Sequence, residues 1–437
     1  MAKVVKNPSI KIISEQIGSN NKIALVNFGC ARNLVDSQII LGELTKNKNK
    51  IVDISKAEVA IINTCGFIES AKKESLDAIV ELVDLKKEGK LKKIVVAGCL
   101  AERYKAVIEK EFKEVDVIVG VQQLQKDQAV KQVRLTPGHF AYLKICESCY
   151  NKCSFCAIPG IKGEFRSRSI GSIIEEVKTL DKEKVRELNM IGQDITAYGI
   201  DIYKKKSLAR LLKAILKETK NIKWIRLLYM FPTHITDDLL DIIASEDKIC
   251  KYMDIPFQHI NNNILKRMNR NITKKQTIGL MNRIREKIPQ VRIRTSFIVG
   301  FPQETDDEFE ELVDFVKEQR FDKVGVFKYS HEEDTPAYKL SGQISEKVKD
   351  VRYNKLMGAQ LEVSKDIQER FIGRDLMVLI DEPHLEDKGV YVGRSEYDAP
   401  EVDGVVYVHS TKKLKVGDLV KVRITDAYDY DLLGDSV

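Results

Sequence analysis

Three cysteines lie within eight residues of one another, at Cys149, Cys153 and Cys156 in the segment CYNKCSFC. Thiolates at this spacing can bind three corners of a 4Fe–4S cluster and leave one iron open. An open iron can bind the amino and carboxylate groups of S-adenosylmethionine. One electron from the cluster can then cleave the sulfonium and yield a 5′-deoxyadenosyl radical, which abstracts hydrogen from unactivated carbon. The spacing therefore predicts radical chemistry, with these three cysteines as metal ligands and catalytic residues.

Two other interpretations of the same loop use Cys146, which extends the spacing to C-x2-C-x3-C-x2-C. A zinc ribbon separates its two cysteine pairs by roughly 12–20 residues, so the three residues found here are too few. A ferredoxin run has a different spacing. We expect Cys146 simply to end a strand. If it bound the cluster, it would close the open iron and prevent catalysis.

A second set of cysteines, Cys30, Cys65 and Cys99, shares one sequence context. Each follows a short apolar run: IALVNFG, VAIINT and IVVAG. Ligands collect at the carboxyl ends of strands in a doubly wound sheet, so three thiolates there predict a second 4Fe–4S cluster with one open site. The alternative is that they are small buried hydrophobic residues, which is what we expect of Cys250.

The elements that position these cysteines follow an α/β pattern in three predicted domains. In residues 1–137, predicted strands alternate with helices, which predicts a doubly wound parallel sheet. The strands are at 23–29, 57–63, 93–98 and 115–120, and one helix is at 69–87. A linker is expected around Pro137. Residues 138–368 predict six βα units and an open (β/α)6 partial TIM barrel, with strands at 141–145, 186–192, 223–229, 251–257, 292–300 and 323–329. Residues 369–437 predict a small five-stranded β-barrel of the OB-like kind.

Composition excludes several classes of protein. The 437 residues are 43% hydrophobic and 31% charged, which excludes a disordered chain. No apolar run approaches the roughly 18 residues of a membrane span, and the first twenty residues are too polar for a signal peptide. We therefore expect a cytoplasmic protein. Residues 371–437 contain 8 basic and 14 acidic residues, a net charge of −6, although the whole chain is +7.

Taken together, the segments VNFGCARNLVDSQ, NTCGFIESAKKES, VAGCLAERY and CYNKCSFCAIPGIKGEFRSR resemble the radical SAM methylthiotransferases over nearly the whole chain. The resemblance implies two 4Fe–4S clusters, one on Cys149, Cys153 and Cys156 and the other on Cys30, Cys65 and Cys99. It also implies a carboxyl-terminal TRAM domain for substrate recognition. The chain departs from the usual family residues at Cys146, at Ser148 and at 31–32, where Ala-Arg replaces the common Pro-Lys.

The resemblance also implies residues that bind S-adenosylmethionine. Gly192, Gln193 and Asp194 follow the second barrel strand, where radical SAM proteins bind the methionyl amine. Gly300 and Pro302 follow the fifth strand, where ribose and adenine are contacted, and Phe155 precedes the last cysteine of the loop. Other polar residues at strand ends or in the basic segment after the loop are as easily structural as functional: Arg166, Arg168, Arg226, Tyr229, Gln258 and His259.

The family has two substrate branches, and the tail sequence distinguishes them. GRSEYDAPEVDGVVYV and ITDAYDYDLLG resemble the branch that adds a methylthio group to the β-carbon of an aspartate in ribosomal protein uS12. The alternative is methylthiolation of tRNA adenosines. An RNA-binding tail is expected to be basic, whereas this acidic tail suits a basic ribosomal protein. The implied partners are uS12, a sulfur donor and an electron donor such as flavodoxin or ferredoxin; we expect a monomer without membrane contact.

Overall fold

The computed structural model describes residues 11–124 and 132–437, and its three large sheets follow one another along the chain. The amino-terminal sheet is parallel, in the order β2-β1-β3-β4-β5. Its strands are β1 (Lys22–Asn27), β2 (Lys50–Ile51), β3 (Val59–Thr64), β4 (Lys93–Gly98) and β5 (Val117–Gly120). Four of these strands were predicted, and the two-residue β2 was missed because it carries no apolar run.

Helices cover both faces of this sheet, as a doubly wound fold requires. They are α1 (Lys11–Ile17), α2 (Ala31–Thr45), α3 (Glu69–Lys87), α4 (Cys99–Arg103), α5 (Lys105–Glu111) and α6 (Val121–Leu124). Val59 and Ile61 of β3 pack against α1 and α2, and the intervening Ala60 and Ile62 pack against α3. This alternation within one strand buries both faces and places the loops after the strands at one edge.

The second sheet contains six parallel strands in the order β6-β9-β10-β11-β12-β13 and forms the predicted open barrel. Its strands are β6 (Phe140–Lys144), β9 (Glu187–Ile191), β10 (Trp224–Leu227), β11 (Ile249–Asp254), β12 (Arg292–Val299) and β13 (Lys323–Lys328). A separate short pair, β7 (Cys146–Glu147) and β8 (Arg166–Ser167), flanks the cysteine loop. Its helices are α7 (Ile158–Lys162), α8 (Ile170–Lys182), α9 (Ile200–Tyr203), α10 (Leu208–Glu218), α11 (Asp237–Ser245), α12 (Asn262–Arg267), α13 (Lys274–Lys287), α14 (Asp306–Gln319) and α15 (Glu346–Glu369).

The carboxyl-terminal domain is a closed barrel in the order β14-β15-β16-β18-β17. Its strands are β14 (Asp375–Pro383), β15 (Val390–Ser395), β16 (Val406–His409), β17 (Leu419–Ala427) and β18 (Leu432–Ser436). Alternate residues such as Val378 and Ile380, or Val422 and Ile424, fill its interior. No helix in the described ranges is both long and apolar enough to cross a lipid bilayer.

A buried carboxylate joins this tail barrel to the open barrel. Glu187, the first residue of β9, pairs with Arg226 of β10 at 2.8 Å and with Arg394 of β15 at 2.7 Å. All three side chains are almost completely buried. Arg226 also donates hydrogen bonds to the carbonyl oxygens of Ser395 and Glu396. Its position at a strand end therefore serves domain packing.

The segment 395–403 of the tail makes further contacts with the barrel strands. Asp398 pairs with Lys323 of β13 at 2.6 Å, and Asp403 accepts a hydrogen bond from Tyr252 of β11 at 2.7 Å. The Glu401 carboxylate accepts a hydrogen bond from the Tyr142 hydroxyl. Part of the acidic charge in the tail sequence therefore contacts the barrel.

Replacing Glu187 by Ala is expected to lower the free energy of unfolding by about 3–5 kcal/mol, because it leaves the buried Arg226 without a carboxylate and leaves Arg394 with Asp381 alone. Urea unfolding of the purified chain measures the change. Glu310→Ala is the control, since its pair with Lys355 is half exposed and worth about 1 kcal/mol or less. Equal losses in the two variants would contradict a structural role for the Glu187 pairs.

Candidate functional site

The three strand-end cysteines lie in adjacent loops at the carboxyl edge of the amino-terminal sheet. Cys30 follows β1, Cys65 follows β3, and Cys99 follows β4 as the first residue of α4. The loops pack tightly: a Cβ added at Gly29 would lie 3.2 Å from the Cys65 sulfur. Gly29 also has φ +91°, so the turn before Cys30 both excludes a side chain and favours glycine.

Asn33 of α2 forms hydrogen bonds with all three loops and fixes their relative positions. Its Nδ2 donates to the carbonyl oxygens of Phe28, at the end of β1, and Thr64, at the end of β3. Its Oδ1 accepts the Cys99 thiol at 3.8 Å. One buried amide therefore links the three chain segments that carry Cys30, Cys65 and Cys99. Nothing in its sequence context distinguished Asn33 from an ordinary helix residue.

The electrostatics at this edge favour a thiolate at Cys30. Burial raises the pKa of the Cys30 thiol, but the charges of Arg32 and Lys162 and hydrogen bonds from Asn33 and Arg32 outweigh it, and the net pKa is lowered. Burial raises the pKa of Cys65, with a further increase from the Cys30 charge. It raises the pKa of Cys99 to about 12. Bound metal is the partner that keeps such thiols deprotonated.

The second cysteine loop, residues 149–156, lies between β7 and α7 and is held by its backbone. Ser154 donates its N–H to the Met268 carbonyl at 2.9 Å and its hydroxyl to the Arg267 carbonyl at 2.7 Å. Asn269 donates to the Lys152 carbonyl. These contacts fix the loop against the end of α12. Cys149 and Cys156 are partly exposed, and Cys153 is buried.

Nitrogen donors approach two of these sulfurs. Asn151 Nδ2 lies 3.6 Å from Cys149 Sγ, and Arg270 Nη1 lies 3.5 Å from Cys153 Sγ. Burial raises the pKa of Cys149 to about 11 and that of Cys156 to about 12. The loop thus offers three thiols, which can bind an iron–sulfur cluster, together with N–H donors to sulfur, which tune such clusters.

Asp194, predicted to bind the cofactor, is fully occupied by protein donors. Its Oδ1 accepts hydrogen bonds from the Thr196 and Ala197 N–H groups and the Thr196 hydroxyl. Its Oδ2 accepts from Asn151 at 2.8 Å and contacts the His234 ring at 2.7 Å. Its carboxylate therefore orients Asn151 beside Cys149. A direct bond from this carboxylate to a methionyl amine would have to displace one of these donors.

Gln193 differs from its neighbour. Both its Oε1 and Nε2 are buried, and neither has a hydrogen-bond partner among the described residues. A buried amide without partners costs about 1–3 kcal/mol per group, unless a ligand provides the missing bonds. Gln193 thus has the free donor and acceptor that a polar ligand at the end of β9 would need.

Cys146 does not end β6, as was expected, but begins the short strand β7, where it is buried. Its sulfur donates to the Asp194 carbonyl at 3.6 Å, and a side chain at Gly192 would collide with it. Gly192 thus makes room for Cys146, as well as occupying its predicted place at the strand end. No three His, Cys, Asp or Glu side chains of the described ranges lie close enough to bind a single metal ion. A cube-shaped cluster spaces its ligands more widely, because each binds a different iron.

The predicted residues around β12 form a packed wall beside the loop. Phe155 packs against the cluster of Ile264, Met268, Phe301 and Tyr329. Gly300, at φ +71°, leaves no space for a Cβ because Lys349 lies against it, and Pro302 is buried. Their binding of S-adenosylmethionine stays a prediction.

The other polar residues separate into structural and site-lining groups. Arg168 is buried by bonds to the Lys144 carbonyl and to Glu176, and His259 is buried with its pKa lowered to about 3 by burial and by Arg267 and Arg352. Both support the barrel. Tyr229 lies beside Arg32, which also donates to the Gly192 carbonyl at 2.8 Å. Arg32 therefore connects the two cysteine sites.

Three families match successive parts of the chain. Residues 22–120 match Uncharacterized protein family UPF0004, residues 143–316 match the Radical SAM superfamily, and residues 372–437 match the TRAM domain. Among solved structures, the radical S-adenosylmethionine methyltransferase TsrM from Kitasatospora setae superimposes with a TM-score of 0.55 at 12% identity. The match covers 79% of this chain and 89% of TsrM, and it shows the fold.

Curated relatives match over almost the full length. The ribosomal protein uS12 methylthiotransferase RimO of Clostridioides difficile is 45% identical over 95% of this chain and 98% of its own length. RimO of Thermoanaerobacter is 45% identical over 94% of this chain and 99% of its own. RimO of Geobacter sulfurreducens is 42% identical over 96% of this chain and 99% of its own length. With this similarity running through all three sheets, the chain belongs to the RimO family of radical SAM methylthiotransferases.

Proposed function

We propose that this chain adds a methylthio group to the β-carbon of an aspartate in ribosomal protein uS12. The observation that carries the proposal is the 42–45% identity to RimO proteins, which extends through the tail as well as the two cysteine-bearing domains. Residues 1–137, 138–368 and 369–437 are the three functional units; residues 1–10 and 125–131 lie outside the described residues.

Two 4Fe–4S clusters fit the thiols. Cys149, Cys153 and Cys156 would bind the first, and Cys30, Cys65 and Cys99 the second. When bound, the first supplies the electron that cleaves S-adenosylmethionine, and the second carries the sulfur to be transferred. The protein contributes the N–H donors to sulfur described above.

Around the first cluster, the side chains of the protein orient and bind. Asp194 fixes Asn151 beside Cys149, and Arg270 approaches Cys153. Gln193 supplies both a donor and an acceptor to S-adenosylmethionine at the end of β9. Gly192, Gly300, Pro302 and Phe155 shape the surrounding wall. Arg32 joins the Cys30 loop to Gly192. The proposed reaction requires both cysteine sites to face one space, which the target aspartate must enter.

The charge of the tail is weaker support for a basic protein substrate than its composition suggests. Seven acidic and seven basic residues of 371–437 are exposed, so the open surface of the tail is balanced in charge. The remaining acidic residues are partly or fully buried, several of them against the barrel. The identity to RimO therefore carries the uS12 assignment, and tRNA methylthiolation is the alternative outcome of the test.

The remaining partners follow from the reaction. An electron donor such as flavodoxin or ferredoxin and a separate sulfur donor are required, and the enzyme would act as a monomer in the cytoplasm, where ribosomes assemble.

Deleting the gene is expected to remove a methylthio mass from one aspartate-containing peptide of uS12. Mass spectrometry of digested uS12 and of tRNA nucleosides from the same cells measures both substrates. Restoring the wild-type gene provides the control. Loss of a methylthio-adenosine with unchanged uS12 would contradict the proposal and place the chain in the tRNA branch.

Cys65→Ala and Cys153→Ala are each expected to lower the iron content of the reconstituted chain by about four atoms, since each removes one of three ligands of a cluster. Iron and sulfide analysis measures the change. Cys250→Ala is the control, because Cys250 lies in the core. Full iron content in Cys65→Ala would contradict the second cluster.

Gln193→Ala is expected to weaken S-adenosylmethionine binding about tenfold, the equivalent of one or two lost hydrogen bonds, with both clusters retained. Anaerobic equilibrium dialysis measures the affinity. Gln343→Ala is the control, since its amide is exposed and bonds only the Leu340 carbonyl. Unchanged affinity in Gln193→Ala would show that this amide does not contact the cofactor.

A further inference from the structure

Arg32 is a half-buried cation between the amino-terminal domain and the open barrel. No Asp or Glu side chain of the described residues forms an ion pair with it. Other buried cations of the same interface, such as Lys144 and Lys162, pair with Asp36 and Glu147. A guanidinium removed from water needs an anionic partner. The sulfur of Cys30, which its Nε contacts, becomes anionic when it binds metal.

Three contacts fix the guanidinium in place. Its Nε donates to Cys30 Sγ at 3.3 Å, and its Nη1 donates to the Gly192 carbonyl at the end of β9 at 2.8 Å. The face of the guanidinium lies 4.2 Å from the centre of the Tyr229 ring. A planar fork makes these contacts simultaneously, whereas the ammonium of lysine is a single point charge.

Tyr229 is itself held rigidly in an unfavourable backbone conformation. Its φ is +65°, which a bulky side chain rarely adopts. Its N–H donates to the Asp254 carboxylate at 3.0 Å, and its carbonyl accepts the Ile195 N–H at 3.1 Å. Such strain persists where the surrounding structure enforces it, often at functional sites. Here it places the ring under Arg32.

We propose that Arg32 is a positioning residue that raises the reduction potential of the cluster bound by Cys30, Cys65 and Cys99. Reduction adds negative charge to the cluster, so a cation and an N–H···S hydrogen bond at one ligand stabilise the reduced state. The same guanidinium fixes Cys30 relative to Gly192 and hence to the first cluster. This inference rests on the proposed function, because it takes those three cysteines as cluster ligands.

The test measures the potential of the second cluster alone. In the full-length chain, Cys149→Ala, Cys153→Ala and Cys156→Ala together remove the first cluster. The midpoint potential of the remaining cluster is then measured by redox titration followed by electron paramagnetic resonance, with Arg32 intact, Arg32→Lys or Arg32→Gln. Arg283→Lys is the matched control, since Arg283 is half exposed and pairs with Asp237 on the barrel surface.

Arg32→Gln is expected to shift the midpoint to a more negative potential. Arg32→Lys is expected to lie between it and the parent, because it keeps the charge but loses the fork, and Arg283→Lys should match the parent. Equal midpoint potentials in all four chains would overturn this inference and leave the proposed function unaffected. If Arg32→Gln binds no cluster, the test rests on Arg32→Lys. A midpoint potential of Arg32→Lys equal to that of Arg283→Lys would then overturn the inference. A parent chain that binds no second cluster would overturn the proposed function as well.

Discussion

Four buried charges pair with one another at the interface of the two domains that carry the cysteine sites. Asp36 of α2 and Glu147 of β7 contact Lys144 of β6 and Lys162 of α7, all nearly inaccessible to solvent. Removing any one charge would leave one net charge buried among the other three. Burial raises the pKa of Asp36, but the two lysines outweigh it and the net pKa is lowered, so the acid stays ionised. Neither domain alone contains this balanced set.

One of these lysines links the interface to the chemistry. Lys162 follows the loop of Cys149, Cys153 and Cys156, yet its charge acts on Cys30 and Cys99 of the other domain. The barrel therefore supplies part of the electrostatic environment of a site whose thiols all lie on the amino-terminal sheet. The docking of the two domains creates this part of the electrostatic environment of Cys30 and Cys99.

Local patterns predicted the sheets and the cysteine sites, because apolar runs and Cys spacing are short-range signals. The helix Glu69–Lys87 has the bounds expected from its sequence. The partners of Asp36 lie more than 100 residues away at Lys144 and Lys162, a separation at which no local pattern operates. For the same reason a net charge of −6 overstated the acidity of the tail surface: where each carboxylate lies depends on docking.

The contacts of segment 395–403 limit how this architecture can be recombined. The open barrel lacks two of the eight strands that close a full one, and the tail covers part of its sheet through Arg226, Lys323 and their partners. A chimera that received the tail of a relative would need matching barrel residues, or it would bury unpaired charge. A new tail and the barrel residues that match it would therefore have to be introduced together.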